Sequence, residues 1–237
     1  MNAYKFNVVI SSISLGKSFA FKDISPLLRN SSIAQVSNDE ICIEITKGRT
    51  RPEDVALNEA ASEVEELLDR LALIDNHRIV SFQYVGFTDE NGTFHKPSRQ
   101  GGAFATATAG IPDPDKYYGN EQQKKILAGR INPGIARLHR TAQGMPNGIG
   151  KFLLLYGAIQ VIHGDTQAKV DDYLLIEQPT ILMVQGKHRI ETIITHIRNE
   201  IAHPENNVDV QTLAHHAETY CPMLIDLVRK TLVSQIH

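Results

Sequence analysis

The sequence predicts an α+β protein, in which a small amino-terminal domain of mixed α and β structure precedes an all-helical bundle. Segments rich in β-branched residues dominate the first part of the chain, and helical periodicity takes over in the second. Between them lies a stretch of small and turn-forming residues with little periodicity. We therefore expect an amino-terminal domain at 1–96, a linker at 97–119 and a helical domain at 120–237.

Three segments of the first domain are typical of β-strands. They are rich in β-branched and aromatic residues, and one of them, CIEIT, alternates apolar and polar side chains like a half-buried strand. A turn at 89–92 is expected to lead to a short partner strand at Thr93–His95. The Pro, Asn and Ser residues of 26–32 indicate a less regular region. The strand candidates are Tyr4–Ser14, Ile41–Thr46 and Arg78–Phe87.

One segment of the first domain has a clear helix pattern. Pro52 falls near its first turn, and Glu53 and Asp54 lie at the positive end of the helix dipole. No catalytic pattern accompanies it, and the isolated His77 and His95 are expected to be structural or exposed. The function of this domain is therefore left unassigned. An aliphatic stripe predicts one buried face, formed by Leu57, Ala60, Val64, Leu67, Leu68 and Leu71.

Composition excludes several classes of protein. The 237 residues carry a net charge of −3, so the chain lacks the global positive field of proteins that coat nucleic acids. Cys42 and Cys221 are too few for a disulfide framework or a zinc cluster, which favours a reducing, cytoplasmic setting. The longest apolar run, Phe152–Ile162, falls short of the roughly 20 residues that cross a bilayer. The start of the chain lacks the pattern of a secretory signal, and no membrane partner is predicted.

The second domain is predicted to be helical throughout. Pro133 is well placed to begin a helix, and Pro222 should bend the last one. Apolar residues recur at helical spacing in each segment, so five or six helices are expected. The predicted helices are Glu121–Ile131, Pro133–Gln143, Ile149–His163, a short Val170–Ile176, Lys187–His203 and Val210–Val233.

A local excess of basic residues begins this domain. Between residues 120 and 151 a single acid, Glu121, accompanies a group of lysines and arginines. An acidic protein that binds RNA needs such a patch, although helices also carry lysines simply for solubility. The RNA-binding candidates are Lys124, Lys125, Arg130, Arg137 and Arg140.

The most informative stretch is Lys187–Pro204. Five isoleucines at steps of three and four predict an aliphatic stripe along one side of a helix, while charged and polar residues occupy the other side. Pro204 disfavours helical geometry at the preceding residue, which places His203 at the carboxyl end of the helix. The isoleucines are Ile190, Ile193, Ile194, Ile197 and Ile201.

Two residues of this stretch form a minimal set for phosphodiester cleavage. Arg198 can hold a phosphate with two hydrogen bonds and offset the charge that develops on it. His203 can transfer protons near neutral pH, and the negative end of the helix dipole favours its protonated form. Glu191 lies seven residues before Arg198, close to the same helix face, where it could orient the guanidinium or form a plain surface ion pair.

Arg198 to His203 fits an R-x4-6-H signature with a polar residue, Asn199, after the arginine. In this respect the region from about 120 to 237 resembles HEPN domains, small all-helical modules of which many are ribonucleases. The resemblance implies a metal-independent endoribonuclease without cofactors. In it Arg198 binds the phosphate, His203 is the acid and base, Asn199 assists, and the 2′-hydroxyl attacks to leave a cyclic phosphate.

The resemblance also implies partners and a biological setting. Two copies of such a domain form a homodimer that places two motifs at a shared cleft, and many members act in stress response or antiphage defence as toxins. An antitoxin or other regulatory partner often restrains them. The amino-terminal domain would then be a candidate for sensing, substrate selection or restraint.

Two alternatives belong to other classes. The first is a catalytically silent HEPN-like module that binds RNA or protein. The second is a metal-dependent hydrolase that uses His163, Asp165 and His196. His196 and Glu200 are one helical turn apart and could share a metal, but the sequence fixes no third ligand, so no metal site is predicted. We instead treat His196, like Glu191, as a candidate supporting residue.

Overall fold

A computed structural model describes residues 1–10, 19–20, 30–37, 40–48, 53–75, 79–97, 121–204 and 209–236. Contacts divide the chain into two compact units: Met1–Gly144 together with Gln235–His237, and Met145–Ser234. The first unit combines an antiparallel sheet with helices, and the second is mainly helical. The mixed α and β class expected from the sequence is therefore confirmed. The predicted linker, apart from Pro97, lies outside the described residues.

Six strands form the antiparallel sheet of the first unit. They are β1 (Asn2–Ile10), β2 (Phe19–Ala20), β3 (Ser31–Ser37), β4 (Glu40–Lys47), β5 (Ile79–Thr88) and β6 (Phe94–His95). Their order across the sheet is β2-β3-β4-β1-β5-β6. The predicted strands correspond to β1, β4, β5 and β6, although residues 11–14 of the first lie outside the described part of the chain. β3 corrects the expectation of an irregular segment, because Ile33 pairs with Ile43 of β4 and is buried.

The central strand β1 directs alternate side chains into the core. Tyr4, Phe6 and Val8 are at most 1% exposed. Phe6 lies opposite Ile43 of β4 and Tyr84 of β5, so the two neighbouring strands extend the same apolar face. This register is the one that period-2 alternation requires, since a shift by one residue would turn these side chains to the other face.

The helix α1 (Glu53–Asp75) packs on this sheet and also on α2 (Glu121–Ala128) and α3 (Pro133–Gly144). The residues of its predicted aliphatic stripe are buried, except Leu57, which is partly exposed. Because α2 and α3 pack on α1, they belong to the first unit, whereas the sequence suggested that they begin the second domain.

Arg70 explains why α2 joins the first unit. Its side chain is buried, and Nη1 donates to the main-chain carbonyls of Ile126, Leu127 and Gly129 at 2.7, 3.2 and 2.8 Å. These carbonyls lie at the carboxyl end of α2, where helix geometry leaves acceptors without an intrahelical partner. A guanidinium from α1 therefore completes the last turn of α2. Periodicity along the sequence contains no sign of this long-range contact.

We expect Arg70→Met to destabilise the first unit by about 2–3 kcal/mol, because it leaves buried carbonyls without a charged donor. Chemical denaturation followed by circular dichroism measures the change. Arg137→Met is the matched control, since Arg137 of α3 is 54% exposed and also pairs with acids of α1. An exposed ion pair of this kind contributes about 0–1 kcal/mol to stability. Equal effects of the two substitutions would contradict the capping role of Arg70.

The second unit contains four helices and a hairpin within its described residues. The elements are α4 (Ile149–His163), α5 (Gln167–Glu177), β7 (Met183–Gln185), β8 (Ile190–Thr192), α6 (Ile193–Ala202) and α7 (Val210–Ser234). The antiparallel pair β7–β8 departs from the all-helical prediction. α4 packs against α7; α4 contributes buried aliphatic and aromatic side chains, and α7 contributes buried aliphatic ones. No helix in the described ranges is long and apolar enough to span a bilayer.

Candidate functional site

The helix that carries the Arg/His motif begins later than the sequence suggested. Thr192 is its N-cap, with Oγ1 accepting the main-chain N–H of Thr195 at 3.2 Å, so α6 starts at Ile193 rather than at Lys187. The preceding residues form β8, which pairs with β7. Ile190 consequently lies on a strand and is 62% exposed, whereas Ile194 and Ile197 are buried as predicted. A threonine at an N-cap satisfies a helix N–H that would otherwise have no partner.

The carboxyl end of α6 agrees with the prediction from Pro204. His203 is the C-cap, it is exposed, and its main-chain N–H donates to the carbonyl of Asn199 at 2.9 Å. Arg198 is partly exposed, and its Nη1 donates to the side-chain Oδ1 of Asn199 at 3.2 Å. Asn199 therefore contacts both members of the motif, one through its side chain and the other through its backbone.

The Asn199 side chain uses all of its hydrogen-bonding capacity. Its Nδ2 donates to Glu191 Oε2 at 3.0 Å and to Gln167 Oε1 at 3.4 Å. Its Oδ1 accepts from Gln167 Nε2 at 2.7 Å and from Arg198. An amide has two donors and two acceptor positions, so every one of them is occupied. This arrangement fixes the orientation of Asn199 and with it one hydrogen bond of the Arg198 guanidinium.

Glu191 supports the motif differently from the prediction. The sequence suggested that its carboxylate could orient Arg198 directly or form a surface ion pair, but the carboxylate contacts Asn199, His196 Nδ1 at 3.3 Å and Arg189 at 4.0 Å. Glu191 is buried in β8, outside the helix on which the spacing argument relied. Its influence on Arg198 is therefore transmitted by Asn199.

A buried carboxylate, Asp171 of α5, holds the start of α6 in place. Its Oδ1 accepts from the Thr192 N–H at 3.2 Å, from Thr192 Oγ1 at 2.6 Å and from Thr195 Oγ1 at 2.6 Å. Its Oδ2 pairs with Arg189 at 2.5 Å. The Tyr156 hydroxyl lies 3.2 Å from Thr195 Oγ1, and burial raises the pKa of this phenol. Asp171 thus joins α4, α5, β8 and α6 in one polar network.

A close approach of Gly186 to Glu191 gives a test of this network. A Cβ at Gly186, in the β7–β8 connection, would stand 2.6 Å from Cδ and Oε1 of Glu191. We expect Gly186→Ala to displace the carboxylate, to shift the Asn199 side-chain amide resonances in an NMR spectrum and to cost about 1–3 kcal/mol of stability. Gly157→Ala is the control, because a Cβ there meets nothing within 4 Å. Unchanged Asn199 resonances in the Gly186 variant would refute the contact.

The predicted RNA-binding residues lie in the first unit, whereas Arg198 and His203 lie in the second. Arg140 and Arg137 pair with the buried Asp69, Arg140 at 2.6 Å and Arg137 at 3.8 Å. Despite these two cations, burial raises the pKa of Asp69. Lys125 and Arg130 are exposed, and the side chain of Lys124 lies outside the described part of the chain. Two members of the expected patch therefore serve to attach α3 to α1.

Acidic residues outnumber basic residues in the second unit. Residues 145–234 contain seven Lys and Arg against ten Asp and Glu, so this unit has no general attraction for phosphates. Any phosphate there depends on local donors such as Arg198. Among the described residues, no three of His, Cys, Asp and Glu are grouped to hold a metal ion, and this includes His163, Asp165 and His196.

Several residues of the site were not predicted from the sequence. Thr192 and Thr195 had a usable signal, because a threonine before an apolar helical run is typical of an N-cap. Gln167 and Asp171 had no such signal, since their partners are 32 and 21 residues away in the chain.

Comparisons with protein-family models, with curated proteins and with solved structures find no match to this chain.

Proposed function

We propose that the second unit is a metal-independent endoribonuclease in which Arg198 and His203 act on a phosphodiester. One observation supports this most: Asn199 hydrogen-bonds the guanidinium of Arg198 through its side chain and the backbone of His203 through its carbonyl. The guanidinium of Arg198 and the main chain that carries His203 are thereby both held by one fixed residue. Both side chains retain exposure to solvent, which an RNA strand needs in order to reach them.

In the proposed reaction the 2′-hydroxyl of one ribose attacks the adjacent phosphorus, and the bond to the 5′-oxygen of the next nucleotide breaks. His203 removes the 2′-hydroxyl proton or protonates the leaving 5′-oxygen, a transfer that suits an imidazole near neutral pH. Arg198 donates to the non-bridging oxygens, where negative charge develops. The products are a 2′,3′-cyclic phosphate and a 5′-hydroxyl.

Asn199 acts in this scheme as a positioning residue. All four of its hydrogen-bonding positions are occupied by protein groups, which leaves none for RNA. Its contribution is to limit the freedom of the guanidinium, and preorganised donors stabilise developing charge at low cost. Glu191 and Gln167 hold the Asn199 side chain through hydrogen bonds, and His196 contacts Glu191.

We also propose that two copies pair through the helical unit, since one copy supplies a single Arg/His set and a two-fold interface would bring two together. A cytoplasmic role in stress response or antiphage defence, under the restraint of an antitoxin or signal, follows from the resemblance to HEPN domains. The first unit would then sense the signal or select the substrate.

The decisive experiment incubates the purified full-length chain with an RNA oligonucleotide in excess EDTA and analyses the product ends. We expect cleavage that leaves 2′,3′-cyclic phosphates and 5′-hydroxyls. A matched oligonucleotide with 2′-deoxyribose at the mapped cleavage position should resist, because it lacks the attacking oxygen. Retention of RNA without cleavage would instead favour a binding module, and cleavage only after addition of a divalent metal would favour a metal-dependent hydrolase.

A further inference from the structure

A groove of about 340 Å³ lies beside α6 in the second unit. Its lining includes the aliphatic side chains of Ile193, Ile197 and Leu213. Polar side chains from α6 and from the start of α7 line it as well. This volume is at the lower end of the range of small-ligand sites, which are mostly apolar with a few polar groups that fix orientation. A groove of this volume with an aliphatic part to its lining suits one planar ring.

One carboxylate in the lining is available to a ligand. Within the part of the chain that the structure describes, no hydrogen bond or ion pair engages Glu200. The other lining carboxylate, Asp209, is occupied, because its oxygens accept from the N–H of Gln211 at 3.0 Å and from Thr212 Oγ1 at 2.6 Å. These bonds lower the pKa of Asp209 and make it the cap of α7. Glu200 is therefore the acceptor that the groove offers.

Two imidazoles complete the lining. His196 comes from α6, one turn before Glu200, and His216 comes from α7. Histidine rings are among the side chains on which unstacked RNA bases lie. The aliphatic side chains and the imidazoles of the lining give a planar heterocycle surfaces on which to stack. Among the residues that the structure describes, neither lysine nor arginine lines the groove, so this lining offers a phosphate none of the permanent cations that usually bind it.

The hydrogen-bonding edge of each base decides which one fits a carboxylate. A carboxylate presents two acceptors side by side and binds best to two adjacent donors. Guanine offers N1–H and the N2 amino group next to each other on its Watson–Crick edge. Adenine and cytosine place a ring acceptor beside their amino donor, and the single donor of uracil lies between two carbonyls.

We propose that this groove binds the guanine base of a single-stranded RNA, with Glu200 accepting from its N1–H and N2 amino groups. Sequence-specific recognition of RNA commonly targets unpaired bases through stacking and their Watson–Crick edges. Insofar as it assigns guanine preference to cleavage, the proposal rests on the proposed ribonuclease function. The binding itself does not depend on that function.

The groove is connected to the Arg/His motif by hydrogen bonds. His196, in the lining, lies 3.3 Å from Glu191, and Glu191 accepts from Asn199, which accepts from Arg198. A base that contacts His196 would therefore lie within three polar contacts of the phosphate-binding guanidinium. The groove and the Arg/His motif therefore share one hydrogen-bond network.

The first test measures binding of free guanosine, adenosine, cytidine and uridine to the full-length chain by NMR titration. Nucleosides are used because they carry no phosphate that could bind Arg198. We expect guanosine to bind about tenfold or more tightly than the others, the discrimination that a bidentate pair provides. Equal binding of all four nucleosides, or shifts that avoid α6 and α7, would overturn the proposal.

The second test uses Glu200→Gln, which keeps the shape of the side chain but replaces one acceptor with a donor. We expect the preference for guanosine to disappear, while Glu218→Gln, on an exposed position of α7, leaves it unchanged. Persistence of the preference in Glu200→Gln would overturn the assignment of this residue. Glu200→Asp, which keeps the carboxylate on a shorter side chain, should retain part of the preference.

Mapping the cleavage sites separates this proposal from the proposed function. Guanosine preference in binding without RNA cleavage would sustain the guanine site and reject the ribonuclease. Cleavage that shows no guanine preference in the wild-type protein would sustain the ribonuclease and reject the assignment of guanine preference to cleavage, and the nucleoside titration then decides on the guanine site by itself. With both proposals correct, wild type cleaves next to guanosine and Glu200→Gln cleaves with that preference lost.

Discussion

Substitution of His203 by alanine is expected to lower the rate of RNA cleavage about 10²–10⁴-fold, the range that a positioned acid or base contributes. Arg198→Ala should lower it about 10²–10³-fold, because it removes the donors that stabilise charge on the phosphate. Both side chains are exposed or partly exposed at the end of α6, so neither substitution should unfold the protein. Single-turnover cleavage in excess EDTA measures both effects.

Matched controls make this result specific. His215→Ala removes an exposed histidine of α7, and Arg229→Ala removes a partly exposed arginine of the same helix. Each should cleave at close to the wild-type rate. Cleavage by His203→Ala at the wild-type rate would exclude His203 from the chemistry, and uniform loss in all four variants would point to a folding defect.

The second large effect concerns stability. Asp171→Ala should destabilise the second unit by about 3–5 kcal/mol, because it leaves the hydrogen-bonding partners of a buried carboxylate without an acceptor. The Thr192 N–H, the hydroxyls of Thr192 and Thr195 and the Arg189 guanidinium would all lose an acceptor. Such a loss is a large part of the roughly 5–15 kcal/mol by which a folded protein exceeds its unfolded state. Urea denaturation, followed by a spectroscopic probe in the second unit, measures the change in the free energy of unfolding.

The neighbouring aspartate provides the control. Asp172 lies on the same turn of α5 but is exposed, so Asp172→Ala should change stability by less than about 0.5 kcal/mol. A cost below about 1 kcal/mol for Asp171→Ala would show that the network is not what holds the start of α6. Asp171→Asn tests the charge separately, since it keeps one carbonyl acceptor but loses the pairing with Arg189.

Elements with strong local patterns were predictable. The helix α4 has the predicted bounds, and α7 ends one residue later than expected, at Ser234 rather than Val233. The strand β3 was missed because its ladder with β4, rather than its own composition, makes it a strand. The hairpin β7–β8 was missed because the isoleucine spacing continued through Ile190 and imitated a helix. The helix begins only after Thr192, and the sequence reveals this start only when Thr192 is recognised as an N-cap.

The sequence by itself determined the mixed α and β class, most helices, and the position of His203 at a helix end, because periodicity and proline act over a few neighbouring residues. The tertiary structure alone decided that Asn199 is fully hydrogen-bonded and that Glu191 reaches Arg198 through it. It also decided that Arg70 attaches α2 to α1 and that Arg137 and Arg140 pair with acids. The bonds of Arg70 to α2, of Arg140 to Asp69 and of Asn199 to Gln167 join residues distant in the chain, so no local pattern of the sequence reveals them.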